Sequence, residues 1–300
     1  MSRPIVIIYH KDCTDGFSAA WVAWKKFGAR AQYYAVYPRL LPAPAFHNAD
    51  IYFLDTSIEA YEIQQLVRDG NRVMIIDHHA SSKENVLAAP EHIFDTTHSG
   101  AVLAWRFFFP HMAVPRFLLH VEDVDLWKFR MPHTREIISY AHTLSYDFRI
   151  WTALIKEVSD TQKRTGIVQK GAAVTAYERA LVRRALARAD VVQFAGHKSL
   201  VVNASVLTSQ VGHAMTLALP PIGIIWKREG DINIVSLRSD GTVDVSLLAQ
   251  KYGGGGHPAA AGFRISADKS FPWKILKKET EEWKKRVVTG EFEIKFKIKE

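Results

Sequence analysis

Asp77-His78-His79 puts one carboxylate and two imidazoles in a row, directly after the apolar run Val73-Met74-Ile75-Ile76. Oxygen and nitrogen donors in that mixture suit a divalent cation. Taken alone, the two histidines serve equally well as the polar cap of a strand. Two other stretches repeat the arrangement: Ile5 to Tyr9 leads into His10, Asp12 and Asp15, and Ile51-Tyr52-Phe53-Leu54 leads into Asp55. A fourth stretch, Glu122-Asp123-Val124-Asp125, carries acids in an apolar setting, which is costly unless they are paired, hydrogen-bonded or on a cation. Three apolar runs that deliver acids or imidazoles at the same end argue for a shared metal site over three unrelated caps. Far along the chain, Gly253-Gly254-Gly255-Gly256-His257-Pro258 offers different chemistry, because consecutive backbone N–H groups in a glycine-rich loop can nest an anion.

These side chains need elements to hold them. A short apolar run bounded by polar groups is the pattern of a strand buried on both faces. Its last residues emerge at the carboxyl end, the edge at which open α/β sheets bind ligands. Between the runs, Ser18 to Phe27 reads as a helix stopped by Gly28, with Gly16 allowing a sharp turn before it. Thr56 and Glu59 have capping-box spacing for a helix reaching Gly70. Gln32 to Tyr37 is a further strand, and the proline-bearing residues 38–48 form a loop. The β-α-β-β-α-β rhythm predicts a mostly parallel sheet with helices on both faces. Ser99 to Phe109 and a segment starting at Pro115 are further helices. Residues 161–189 make a long amphipathic helix with Val174, Tyr177 and Leu181 on one stripe and Arg179, Arg183 and Arg184 elsewhere. Past residue 191 short strands take over, at 200–202, 222–226 and 232–237, followed by a helix over 245–252. The tail from Lys277 reads as a solvated helix and a short strand. The expected organisation is therefore a catalytic domain over 1–155, a helical connection over 156–190 and a smaller α/β domain over 191–300.

Composition narrows the function classes. The chain has 300 residues, 48% of them hydrophobic and 11% aromatic, enough to bury two cores. A net charge of +8 favours an anionic partner such as phosphate, nucleotide or nucleic acid. The single cysteine, Cys13, excludes an internal disulfide framework and fits a reducing compartment. No apolar run approaches the ~18 residues of a membrane span, and Ile5 to Tyr9 is too short for the core of a signal peptide. A soluble, cytoplasmic protein without a membrane partner is expected.

Taken in order, His10-Lys11-Asp12-Cys13-Thr14-Asp15-Gly16, Asp55, Asp77-His78-His79, Asp123 to Trp127 and Gly253 to Gly262 resemble the motifs of the DHH phosphoesterase superfamily with its DHH-associated C-terminal domain. The resemblance covers nearly the whole chain. It implies two divalent ions, Mn2+ preferred and Mg2+ possible, with His10 and Asp12 on one, Asp15, His78 and Asp123 on the other, and Asp55 bridging. His79 would face the substrate phosphate and Asp77 would orient the histidines. Two departures bear on this set. Asp12 and Asp15 are separated by two residues where the family commonly has one, and Asp125 competes with Asp123 for the last position, with Asp123 favoured by its place in the motif. In the C-terminal domain, Gly254, Gly255, Gly256, His257 and Arg238 match the substrate-holding residues, and the planar fork of an arginine suits bidentate phosphate binding.

The activity implied is hydrolysis of short oligonucleotides, or of cyclic or linear dinucleotides, to mononucleotides by two-metal activation of water. The alternatives are a single-strand exonuclease of RecJ type, a pyrophosphatase or exopolyphosphatase, and a non-catalytic nucleotide-binding module. A nucleotide or short oligonucleotide is the expected partner, and a homodimer is compatible with the sequence.

Overall fold

The computed structural model describes residues 3–37, 41 and 45–289. The expected short strand in the tail and the prolines of the 38–48 loop lie outside the described residues. The chain divides into two compact units, Met1–Thr175 and Ala176–Glu300.

The first unit runs β1 (Ile5–His10), α1 (Thr14–Phe27), β2 (Ala31–Val36), β3 (Asp50–Leu54), α2 (Ala60–Arg68), β4 (Arg72–Asp77), α3 (Lys83–Leu87), β5 (Glu91–Phe94), α4 (Gly100–Phe108), α5 (Arg116–Asp125), α6 (Thr134–Ala141) and α7 (Phe148–Ser159). Its five strands lie in the order β2-β1-β3-β4-β5, every pair parallel. Successive strand residues point to opposite faces, and both faces are covered. Ile7, Leu54 and Ile76 pack with α1, α4, α5 and α7, whereas Val6, Ile8, Ile51, Phe53, Val73 and Ile75 pack with α2 and α3. Burial on both sides is why these strands read as unbroken apolar runs.

Two local expectations give way. Gly16 lies inside α1 rather than in a turn before it, because the helix begins at Thr14; a Cβ there would sit 2.4 Å from the His10 carbonyl oxygen. The absence of a side chain lets the helix start against the end of β1. The capping box of α2 is made by Glu59 and Glu62, each bonding the other's backbone. Thr56 takes no part, because the buried residues 55–58 precede the helix, which begins only at Ala60.

Helix α8 (Thr161–Ala187) contains the boundary between the units. Its buried positions are Ile167, Gly171, Thr175, Val182 and Leu186, spaced at helical period, and Tyr177 is exposed instead of lying on the inner stripe. The second unit continues with β6 (Asp190–Phe194), β7 (His197–Asn203), α9 (Thr208–Ala218), β8 (Ile222–Glu229), β9 (Ile232–Ser239), α10 (Val245–Gln250), β10 (Gly255–His257), β11 (Ala260–Ser266), β12 (Lys274–Ile275) and α11 (Lys277–Val288). It forms a seven-stranded sheet, β10-β11-β9-β8-β7-β6-β12, antiparallel except for the parallel pair β7 and β8. Val211, Met215 and Trp283 pack against one face and Val245 and Ala249 against the other. Among the described residues no helix is long and apolar enough to cross a membrane.

Candidate metal centre

Strands β1, β3 and β4 are adjacent and parallel, so their carboxyl ends lie side by side. In an open sheet whose first strand has neighbours on both sides, the crevice opens beside that strand. His10 closes β1, Asp55 follows β3, and Asp77 closes β4 with His78 and His79 behind it. Asp15 enters the same region from the first turn of α1. Asp55 sits in the left-handed region at φ 59°, its N–H bonded to the Ile76 carbonyl at 2.9 Å. A non-glycine residue there costs on the order of 1–3 kcal/mol and persists only where its surroundings hold it, as at functional sites.

The two oxygens of Asp55 face two separate sets of donors. Oδ2 lies 3.3 Å from His10 Nδ1 and 3.6 Å from Cys13 Sγ. Oδ1 lies 3.2 Å from His78 Nε2 and 3.8 Å from His79 Nδ1. His78 Nε2 is in turn 3.8 Å from Asp15 Oδ2 and 3.4 Å from Asp125 Oδ2. Within His10, Cys13 and Asp55, and again within Asp15, His78 and Asp125, one ligand atom per residue lies within 4.8 Å of the others.

Supporting contacts aim this first layer. Asp77 Oδ1 accepts from the backbone N–H of His78 at 2.7 Å and of His79 at 3.2 Å, and from the His79 ring Nδ1 at 2.7 Å. Asp15 accepts from the N–H groups of Gly100 at 2.6 Å and Ala101 at 3.0 Å, at the start of α4. That start is pinned by Glu122, whose Oε2 accepts from the Ser99 N–H at 3.0 Å and lies 2.9 Å from His98 Nδ1.

The electrostatics are those of a crowded carboxylate site. Burial pushes Asp15 well above the usual carboxylate range, and the charges of Asp55 and Asp125 push the same way. Burial would raise Asp55 too, but close contacts with the His10 and His78 rings and the charge of His79 outweigh it and hold the carboxyl well down. Burial would lower both histidines; instead the carboxylates raise His78 to about 10 and His79 to about 9. Asp55 Oδ1 is buried and accepts no well-aligned hydrogen bond, which in a native structure calls for an explanation such as an ion. Clustered carboxylates with a minority of imidazoles are also the donor chemistry of a divalent-cation site. The residues fit the group.

Of the expected ligands, His10, Asp15, Asp55 and His78 meet here, with Asp77 and His79 beside them. Two lie elsewhere, which corrects the expected set. Asp12 is exposed at φ 54° and accepts from the Tyr37 hydroxyl at 2.9 Å, because the tight turn out of β1 rotates it away. Asp123 clamps the loop after α5: Oδ1 accepts from the Arg130 N–H at 2.7 Å, and Oδ2 accepts from the Met131 N–H at 3.0 Å and the Thr134 hydroxyl at 2.6 Å. The same loop holds Trp127, Phe129 and His133 at positive φ. Asp125 takes the position near His78 instead. Sequence reasoning passed over Cys13 as a site residue, although it stands three positions after His10 inside the first motif.

The assignments of Asp123 and Asp125 can be separated by mutation. Asp123→Ala should destabilise the fold by about 3 kcal/mol or more, since it removes several hydrogen bonds to a buried carboxylate, and should lower Tm in the presence of chelator. Asp125→Ala should leave the chelated Tm nearly unchanged and reduce bound metal. The reverse pattern would return Asp123 to the ligand set.

In the second unit, Arg238 on β9 is half-buried. Its Nη2 donates to Ser209 Oγ at 2.9 Å and its Nη1 to the Leu237 carbonyl at 2.9 Å, and burial lowers its pKa to about 10. It is therefore a held side chain rather than a loose surface charge. His257 ends β10 and pairs with Ala260. At Gly254 and Gly256 an added Cβ would meet the carbonyl oxygens of Gly262 and Ala260 at 2.1 and 2.5 Å, so the hairpin needs these two glycines whether or not a ligand binds.

Comparison with known proteins agrees with this architecture. Residues 195–282 match the DHHA1 domain family. An uncharacterized protein of Acanthamoeba polyphaga mimivirus is 26% identical over 291 residues, covering 88% of this chain and 68% of that one. A solved DHH domain, from a member of a family of ribosomal proteins, superposes with a TM-score of 0.54 at 14% identity, over 96% of this chain and 86% of the other. An exopolyphosphatase-related protein from Bacteroides fragilis gives 0.50 at 12% identity, over 96% and 92%.

Proposed function

From a chain that carries a DHHA1 domain and has the fold of a DHH protein, we propose a metal-dependent phosphodiesterase that hydrolyses short oligonucleotides or dinucleotides to mononucleotides. The observation that carries the metal reading is the buried Asp55 carboxylate, whose two oxygens address two donor sets. His10 and Asp55 would hold one divalent ion, and Asp15, His78, Asp125 and Asp55 the other, with Mn2+ preferred. When bound, such a pair lowers the pKa of water at neutral pH and stabilises the leaving oxygen of an in-line displacement.

The residues of the chain do the rest. Asp77 fixes the ring of His79 through Nδ1. With Nδ1 held by Asp77, the other ring nitrogen of His79 can hydrogen-bond a phosphate oxygen. The N–H groups at the start of α4 keep Asp15 in place without consuming a side chain.

In the second unit, Arg238 and His257 are proposed to bind substrate phosphate. Arg238→Met, which keeps the apolar stem, and His257→Ala should each lower kcat/KM about 10-fold or more, the worth of one charge-assisted hydrogen bond, with metal content unchanged by plasma emission. Unaltered kcat/KM in both variants would remove these residues from the substrate site.

The substrate class is tested by assaying the full chain with Mn2+ against short RNA, short DNA, cyclic and linear dinucleotides, long single strands and pyrophosphate. A dinucleotide should be turned over at least as well as a long strand. Its log K should fall only shallowly with log salt, because each phosphate contact adds about 0.7 to the slope for single strands. A steep slope with long-strand preference would make the protein a RecJ-type exonuclease, and turnover of pyrophosphate alone would make it a pyrophosphatase.

A further inference from the structure

The two donor sets around Asp55 differ in chemistry. Asp15, His78 and Asp125 offer oxygen and nitrogen, as expected for Mn2+ or Mg2+. The other set contains sulfur: Cys13 Sγ lies 3.6 Å from Asp55 Oδ2, with His10 Nδ1 3.3 Å from the same oxygen. Cys13 is the single cysteine of the chain, so it has no disulfide partner within the chain.

The spacing is informative. Metal bonds of about 2.3 Å to sulfur, 2.0–2.1 Å to imidazole nitrogen and 2.0–2.2 Å to carboxylate oxygen, at tetrahedral angles, put sulfur and oxygen about 3.6 Å apart and nitrogen and oxygen about 3.4 Å apart. Octahedral angles with the same bonds would need about 3.1 and 2.9 Å. Separations of 3.6 and 3.3 Å would admit a tetrahedral ion with little movement of these side chains.

The local backbone explains why the sulfur is there. Cys13 holds the capping position before α1, where Ser, Thr, Asp or Asn usually bonds a helix N–H. Its side chain makes no such bond, and its backbone is extended at φ −121° and ψ 131°. Asp12, one residue earlier, is turned out to Tyr37. Asp55, 1% exposed, joins the same cluster through Oδ2, while its Oδ1 faces His78.

We propose that Cys13 is a thiolate ligand which, with His10 and Asp55, makes one metal position a nitrogen, sulfur and oxygen site selective for Zn2+ or Co2+ over Mg2+. The proposal rests on the metal reading given above and adds the identity of the ion class at one of its positions. On binding, the metal–sulfur bond replaces the S–H bond and the proton passes to solvent. Three protein ligands leave a fourth tetrahedral position open, the arrangement of catalytic rather than structural zinc. The other position keeps its preference for a harder ion, so the centre would hold two different metals.

Cobalt substitution tests this without turnover. Full-length protein titrated with Co2+ should develop the near-ultraviolet absorption of a sulfur-to-cobalt charge transfer. Cys13→Ser should lack that band and bind Zn2+ at this position at least about 10-fold more weakly, since even residues behind the ligands cost 10–100-fold. Cys13→Asp should also lack the band but recover Mn2+ binding at that position. X-ray absorption of the zinc-loaded protein should show one sulfur neighbour at about 2.3 Å, absent from the serine variant. Cobalt uptake with unchanged stoichiometry and no charge-transfer band would overturn the thiolate and leave the metal centre standing. No cobalt uptake by the unaltered protein, equal to that of Asp55→Ala, would overturn both.

Discussion

Asp55→Ala is expected to abolish the proposed turnover and to remove both divalent ions, rather than to weaken one site. The carboxylate addresses His10 and Cys13 with one oxygen and His78 with the other, so its loss opens both donor sets at once. Two such ions would together contribute several kcal/mol to the transition state; at 1.36 kcal/mol per decade, the expected fall is on the order of 10³-fold or more. Asp55→Asn separates charge from shape, because it preserves the side chain's volume and should lose the metals just as fully. Circular dichroism and Tm in chelator establish that both variants fold, and metal analysis after dialysis gives the stoichiometry. Two ions per chain and near-normal kcat in Asp55→Ala would mean that the centre lies elsewhere.

His79→Ala differs in kind. The ring is held by Asp77 at 2.7 Å and stands beside His10 and His78, with ring centroids 5.8 and 4.5 Å apart. As a phosphate-facing acid or hydrogen-bond donor, it should be worth about 10²–10⁴-fold in kcat, with both ions retained. Asp77→Asn tests the support. Asp77 Oδ1 also takes the His78 N–H, so this variant should lower metal affinity by roughly 10–100-fold as well as turnover. Loss of one ion from His79→Ala would identify His79 as a ligand, and an unchanged kcat would remove it from the chemistry.

Much of the scaffold was legible because it rests on burial. A strand covered by helices on both faces must be apolar at every position, so Ile5 to Tyr9, Ile51 to Leu54 and Val73 to Ile76 identify themselves, and the polar residues behind them mark the ligand edge. The helices over 134–141 and 148–159 were missed. Ile137, Ile138, Trp151 and Leu154 bury one face of each, but the elements are short, and aromatic and β-branched residues at that length do not distinguish helix from strand.

By itself the sequence determined that carboxylates and imidazoles would gather at the carboxyl ends of three parallel strands, because strands buried on both faces leave polar residues room only at their ends. It did not determine which acids face the gathering. On a helix each residue turns about 100°, so Asp123 and Asp125 point about 200° apart. Only one can look at His78, and the docking of α5 chose Asp125, leaving Asp123 to clamp the following loop. At the other position the left-handed turn at Asp12 sent that carboxylate to Tyr37 and brought Cys13 to Asp55. Both outcomes depend on azimuth, and azimuth is fixed by packing against residues distant in the chain, which spacing within a motif does not encode.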